Sequence, residues 1–292
     1  MLLEPHQHVT YESHLVGFRF ALLDSLLKRS IASEFYAPTR IRMVLTSVTD
    51  ELIDSFDRAR SITVLTGAGI SAESGVPTFR GGGGSEIWTW RGRPVTELSS
   101  AELIATDPKL VWEWFDYRRG MLSSLQPNPG HFALAEWERR SSDFTLVTQN
   151  IDDLHRAAGS QKVLELHGNI WRARCLRCAS TFEARETPLE TNPPSCLACG
   201  GPARPDVVLF GEMLPEGVFE RAEEASSRAD LFFVIGTSAV VYPAAGLPIA
   251  AKRSGARVIE VNPEMTDISF IADVTLLGKA GELLPLFLKQ RG

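Results

Sequence analysis

The chain's only cysteines are Cys175, Cys178, Cys196 and Cys199. They form two C-x2-C pairs separated by 17 residues. Each pair sets two thiolates on one side of a tight turn, and two such turns offer a tetrahedron of soft sulfur ligands for one zinc ion. Four protein ligands leave no open position, so the metal would be structural. Two disulfides or a redox-active pair are the competing readings. Four cysteines in 292 residues are few for a disulfide-stapled fold, and neither pair opens a helix after a strand. With no secretory apolar core ahead of them, thiolates of this kind imply a reducing compartment, the cytoplasm.

A second group is small and polar. Val64-Leu-Thr-Gly67-Ala68-Gly69-Ile-Ser71-Ala72 is a G-x-G-x-x-A pattern directly after an apolar run. At a strand-to-helix turn such glycines let backbone N–H groups approach a dinucleotide pyrophosphate. Tight turns need glycines in any case. The acidic residue that would hold the ribose about 20 residues on is missing. Gly81–Gly84 and Trp88-Thr-Trp90 fill that stretch, which disfavours a hydride-transferring dehydrogenase. Gly236-Thr237-Ser238 and Asn262 follow two further apolar runs. Gln149-Asn150-Ile-Asp152 follows another and offers amides and a carboxylate. His167, in Leu166-His-Gly-Asn169, also ends an apolar run. Its ordinary pKa lies near neutrality, which suits a general base at a cleft.

These side chains converge only if the runs before them are parallel strands ending at one edge of a sheet. Ser61–Leu65, Asp143–Thr148, Lys162–Leu166, Leu231–Ile235, Arg257–Val261 and Val274–Leu277 read as strands. Helical patterns at 49–60, 130–140, 222–227 and 242–254 lie between most of them. Apolar strands alternating with helices predict an α/β fold: a Rossmann-like, doubly wound parallel sheet. Residues 82–128 and 171–205 break the rhythm and read as insertions that build a smaller zinc-ribbon plus helical lobe. The Rossmann-like lobe then comprises 43–81, 129–170 and 206–290, within a catalytic domain of 43–290. Residues 1–42 carry His6, His8 and His14 but no chemical motif. They read as an N-terminal extension, disordered or upstream of a true start at Met43.

Composition narrows the function classes. With 292 residues, 44% apolar, the chain can bury a core without disulfides. It has no apolar run of the ~18 residues a bilayer span requires. A net charge of −6 disfavours a general nucleic-acid binder.

Taken in order, Gly67–Gly81 (GAGISAESGVPTFRG), Thr148-Gln-Asn-Ile-Asp152, Leu166-His-Gly-Asn169, the four cysteines, Gly236-Thr-Ser238 and Val261-Asn262 resemble the motifs of sirtuins. These are NAD-dependent protein-lysine deacylases, and the resemblance covers about residues 45–290. It implies that NAD is consumed as cosubstrate, that one structural zinc is bound, and that acylated-lysine proteins or peptides are the substrates. The acyl oxygen would attack C1′ of the nicotinamide ribose. His167, with Asn150, would help a ribose hydroxyl attack the resulting imidate, giving free lysine, nicotinamide and O-acyl-ADP-ribose. The implied cofactor contacts are Gly67, Ala68, Gly69, Ser71, Phe79, Arg80, Gln149, Asn150, Asp152, Gly236, Thr237, Ser238, Asn262 and Ala280, with Phe79 shielding the nicotinamide side. Val207, Val208, Phe210 and Gly211 match the strand that pairs with an extended substrate.

Sirtuins that prefer succinyl- or malonyl-lysine carry Tyr-x-x-Arg. Here the aligned residues are Phe115 and Arg118. Arg118 can still meet an acyl carboxylate, or it pairs on the surface with Asp116 or Glu113. Phe115 cannot donate the second hydrogen bond, worth about 1.5–3 kcal/mol to a charged group. The expectation is acetyl first, with acidic acyl groups weaker. A protein ADP-ribosyltransferase using the same NAD site is the alternative enzyme. A non-enzymatic NAD-sensing or zinc-ribbon interaction module is the alternative outside catalysis. The sequence sets no oligomeric state.

Overall fold

The computed structural model describes residues 43–77, 88–238 and 240–288; residues 1–42, Phe79, Arg80 and Gly81–Gly84 lie outside them. In chain order the first elements are β1 (Met43–Leu45), α1 (Asp50–Arg58), β2 (Ser61–Thr66) and α2 (Ala68–Ala72). A two-stranded hairpin, β3 (Thr89–Trp90) and β4 (Arg93–Pro94), leads into α3 (Val95–Leu98), α4 (Ala101–Thr106) and α5 (Pro108–Leu122). Then come α6 (Pro129–Arg140), β5 (Asp143–Thr148), α7 (Leu154–Ala157) and β6 (Val163–Glu165). Three strands follow: β7 (Gly168–Cys175), β8 (Thr181–Glu183) and β9 (Ala203–Val207). The chain closes with α8 (Val218–Arg228), β10 (Leu231–Ile235), α9 (Leu247–Arg253), β11 (Arg257–Asn262), β12 (Val274–Leu277) and α10 (Ala280–Leu283).

Seven strands form one sheet in the order β1-β12-β11-β10-β2-β5-β6, with every pairing parallel. β10 is apolar throughout and β2 is buried nearly throughout, its Thr63 and Thr66 hydroxyls hydrogen-bonded, because both faces of the sheet are covered. On one face Ile62, Val64, Phe233 and Ile235 pack with Leu52 and Phe56 of α1 and with Leu134 and Trp137 of α6. Phe56, Trp137, Phe233 and Phe287 form a tilted aromatic cluster there, with Phe56 and Trp137 centroids 4.7 Å apart. On the other face Leu65, Phe232 and Val234 pack with Ala222 of α8 and with Leu247 and Ala251 of α9. Helix starts are capped as their sequences dictate: Thr49 accepts from Leu52 N, and Asp107 accepts from Leu110 N ahead of Pro108.

A second, antiparallel sheet, β8-β7-β9, builds the smaller lobe together with α3, α4 and α5. Trp112 and Trp114 are fully buried there, their indole N–H groups donated to Ala203 O and Ser99 Oγ. The two lobes are joined by adjacent crossings. The chain leaves the large sheet at His167–Gly168 and comes back at Val207–Val208, where Val208 N donates to His167 O at 2.9 Å. Gly168 has φ +79°, and a Cβ there would lie 2.1 Å from Asp206 O. Only glycine fits that crossing.

Two features depart from the sequence expectation. Met43–Leu45 is an edge strand beside β12, not merely the lead into a helix. Residues 171–205 hold regular strands whose exposed faces carry ion pairs, Arg172 with Glu165 and Asp206, so no apolar alternation marks them.

Candidate functional site

From β2 the chain moves through β5 to β6 on one side. It later returns to β10 on the other side of β2 and continues outward to β11 and β12. The order reverses between β2 and β10, and the crevice beyond their carboxyl ends is where such sheets bind ligands. The turns after these strands lie on each other. Gly69 N donates to Gly236 O at 2.7 Å, and a Cβ on Gly69 would stand 2.6 Å from Gly236 Cα. Glycine at these positions lets the two turns pack backbone against backbone. A cavity of about 260 Å³ opens beside the turns, lined by Gly69, Ala72, Glu73, Gly236, Val261, Pro263, Lys279 and Ala280. Of these, Ala72, Glu73, Val261, Pro263 and Lys279 are not among the contacts that the sequence motifs imply. Glu73 accepts from Gly281 N at 2.9 Å, a contact between residues far apart in sequence that no local pattern signals.

On the other side of the reversal, the end of β5 carries Gln149, Asn150 and Asp152. Gln149 Nε2 donates to Thr237 Oγ1 at 3.0 Å, tying the end of β5 to the turn after β10. Asn150 Nδ2 donates to Gly67 O and to Ser71 Oγ, at 3.0 and 3.1 Å. Among the described residues, no donor is placed on its Oδ1. Ser71 is fully buried and lies behind Asn150, where it also meets His131 Nε2 at 3.4 Å. Behind it again, Thr66 Oγ1 bridges Thr148 Oγ1 and His155 Nε2. Neither histidine stood out in the sequence, since a lone histidine on an apolar helix carries no pattern. Burial pushes His131 down to about 4 and His155 well below the usual histidine range, so both are neutral at neutral pH.

Asp152 is buried, and that burial raises its pKa. Leu154 N, Ser71 and the charge of Arg118 oppose the rise. Arg118 is itself buried, lowered to about 10 by desolvation and held up by Asp152. It remains a cation at neutral pH and joins α5 electrostatically to the end of β5. Glu113 pairs with Arg91 instead, and Asp116 accepts from Leu189 N. Phe115 and Arg118 share a face of α5, with Arg118 Cζ 5.8 Å from the Phe115 ring. Tyr117 points elsewhere, stacked on Trp114 and about half exposed.

His167 sits at the crossing between the lobes. Its Nδ1 lies 2.9 Å from Gln149 O. A carbonyl only accepts, so Nδ1 carries the proton and Nε2 keeps its lone pair. Burial lowers its pKa, with the Gln149 carbonyl opposing. The neighbouring segment runs extended: Phe210 N donates to Ser99 O, and Ala101 N donates to Phe210 O. Val207 is buried, Phe210 is exposed, and Gly211 has φ +89°. Ser238 is half-buried beyond the β10 turn, and Asn262 ends β11.

At the far end of the smaller lobe the four cysteine sulfurs lie within 4.8 Å of one another. Cys175 and Cys199 approach to 3.5 Å, and Cys178 and Cys196 to 3.7 Å. Four sulfurs about 2.3 Å from a zinc ion stand about 3.8 Å apart, so the set fits that metal and no disulfide is formed.

The Sir2 family profile matches residues 67–243. An NAD-dependent protein deacylase 2 of Pyrobaculum aerophilum is 49% identical over 237 residues, 81% of this chain and 93% of that protein. A crystal structure of a Sir2 homologue–NAD complex superposes with a TM-score of 0.77 at 42% identity, covering 85% of this chain and 96% of that one. A Sir2 protein bound to acetylated peptide superposes with a TM-score of 0.71 at 32% identity, covering 82% of this chain and 96% of that one. With its glycine turns, its reversed strand order and its four-cysteine cluster in place, the chain belongs to the Sir2 family.

Proposed function

We propose that the chain removes acyl groups from protein lysines with NAD as cosubstrate, acetyl ahead of succinyl, and releases nicotinamide and O-acyl-ADP-ribose. The observation that carries this reading is His167: a neutral imidazole with Nδ1–H held by Gln149 O and Nε2 open, at the crossing between the lobes. The glycine turns at the strand-order reversal and the cavity beside them support dinucleotide binding there. NAD, once bound, supplies an electrophilic ribose carbon and a leaving group. The chain's own residues then orient and exclude water. Asn150, its Nδ2 fixed, presents Oδ1 as an acceptor, and buried Asp152 keeps a carboxyl beside it. The Nε2 lone pair of His167 takes the proton of a ribose hydroxyl. Val207, Val208, Phe210 and Gly211 would lie along the path of an extended peptide, although the N–H groups of Val208, Leu209 and Phe210 are already donated to His167 O, Glu212 and Ser99 O. The four cysteines would hold a structural zinc and support a reducing compartment, the cytoplasm.

The acyl preference rests on Phe115 and Arg118. Arg118 already faces Asp152, so an acyl carboxylate would share its charge, and Phe115 adds no hydroxyl. The test is one reaction with NAD and equal acetyl-lysine and succinyl-lysine peptides, followed by mass spectrometry. O-acetyl-ADP-ribose is expected to dominate, and Phe115→Tyr to raise the succinyl share about tenfold or more. Dominant O-succinyl-ADP-ribose would overturn the preference. ADP-ribose appearing on peptide or enzyme, with no O-acyl product, would overturn deacylation in favour of transfer.

A further inference from the structure

Asp153 carries a carboxylate that the proposed chemistry does not use, in a backbone conformation that few residue types take. Its φ of +72° and ψ of 4° are left-handed, and among the described residues only Arg91 and Ala179 share a positive φ without being glycine. Asp153 stands at the N-cap of α7, yet its side chain caps nothing. Leu154 N donates instead to Asp152 Oδ1 at 3.0 Å. That bond closes a turn in which the Asp152 side chain stands in for a backbone carbonyl and Asp153 takes the third position. A type II turn has φ of about +80° and ψ of about 0° at that position. The left-handed angles of Asp153 therefore keep one oxygen of Asp152 turned back on Leu154.

Those angles are held from the smaller lobe. Asn169 Nδ2, at the start of β7, donates to Asp153 Oδ1 at 2.9 Å, and Arg185 Nη2 donates to Oδ2 at 2.6 Å. The residues just before are gripped by the same strand: Ile170 N donates to Ile151 O at 2.8 Å, and Trp171 Nε1 to Asp152 O at 3.0 Å. Arg185 comes from further away, two residues beyond β8, where Ala184 N donates to Trp171 O at 2.8 Å. Its side chain is 57% exposed and also meets Glu183 at 2.8 Å, whereas the Asp153 side chain is only 10% exposed. Of the groups that hold the turn, Arg185 is the one that solvent and salt reach.

We propose that Arg185 is a positioning residue: paired with Asp153, it holds the left-handed turn and so fixes the orientation of the Asp152 carboxylate, on which NAD binding depends. This rests on the NAD-dependent reading above. Steady-state kinetics on the full chain test it. Arg185→Ala is expected to raise KM for NAD about three- to fivefold. In that variant kcat at saturating NAD, KM for acetyl-peptide and the unfolding temperature hold. Arg185→Lys, which keeps the charge, should recover most of the loss. Asp153→Asn tolerates the left-handed backbone but gives up the charge, so it should match Arg185→Ala, and combining the two should add nothing. Raising salt from about 0.05 M to about 0.5 M should raise KM for NAD more in the unaltered chain than in Arg185→Ala, where the pair is already gone. An unchanged KM for NAD in both single variants would overturn the proposal. So would equal rises in both KM values with a lowered unfolding temperature, which would make the pair merely structural. If Arg185→Ala does not fold, Asp153→Asn, judged by the same KM values and salt response, decides the matter. No binding of ADP-ribose by the unaltered chain in titration calorimetry, with no NAD-dependent turnover, would instead sink the NAD-dependent reading itself.

Discussion

The state of His167 follows from one carbonyl. Gln149 O fixes the proton on Nδ1, and burial keeps the ring neutral. Because its pKa is lowered below the ordinary histidine value near 6.5, the base form persists at neutral pH. The sign is therefore set: activity is full at neutral pH and falls only as pH drops through the lowered pKa. The kcat/KM profile should show an acid limb below about pH 6.5, losing about tenfold per unit at its steepest. His167→Tyr should abolish deacylation while leaving thermal unfolding close to that of the unaltered chain. A flat acid limb, or full activity in that variant, would remove the base assignment. Asn262 ends β11 with both amide hydrogens directed inward, to Thr237 O and to Glu260.

Among the elements, α2, α6 and α7 meet behind the crevice through His131 and His155, whose rings lie 4.9 Å apart. His131 falls from 6.5 to about 4 in the folded chain. Between those values the unfolded chain binds the proton and the folded chain does not, so stability is complete above about pH 6.5 and declines as pH falls toward 4. The loss assigned to His131 is on the order of 3 kcal/mol across that window. Urea unfolding at pH 7.5 and at pH 5 should show it, and His131→Gln should flatten the difference. An unchanged slope in the variant would place the acid sensitivity elsewhere. The large-sheet strands were legible because both their faces are covered and their apolar runs are continuous. β7, β8 and β9 were not, because Arg172, Arg174 and Asp206 pair across the strand faces and interrupt any period-two pattern. β1 escaped notice because three residues on a sheet edge carry no periodicity. In the site, glycine turns and strand-end polar residues were readable. The buried supports Ser71, Thr66, His131 and Glu260 were assembled by tertiary folding.

At the scale of the whole molecule, the smaller lobe hangs on its own core and on the cysteine cluster. Residues 171–205 bury little besides Trp171, Ala173, two of the cysteines and the start of β9. Metal binding and local folding should then be coupled. Strong chelation is expected to expose residues 171–205 to protease while the seven-stranded sheet keeps its protection. Unchanged protection of that stretch would contradict a structural zinc. The order of the large sheet has a further consequence. Its central pair aligns Ile62 with Leu231, so the two walls of the crevice come from opposite ends of the described chain. A nascent polypeptide has no cosubstrate site until its last third has left the ribosome. Until then β2, buried along nearly its whole length in the finished sheet, has no partner on that side. Translation must outrun aggregation at this edge, and the ligand can rescue only chains already complete.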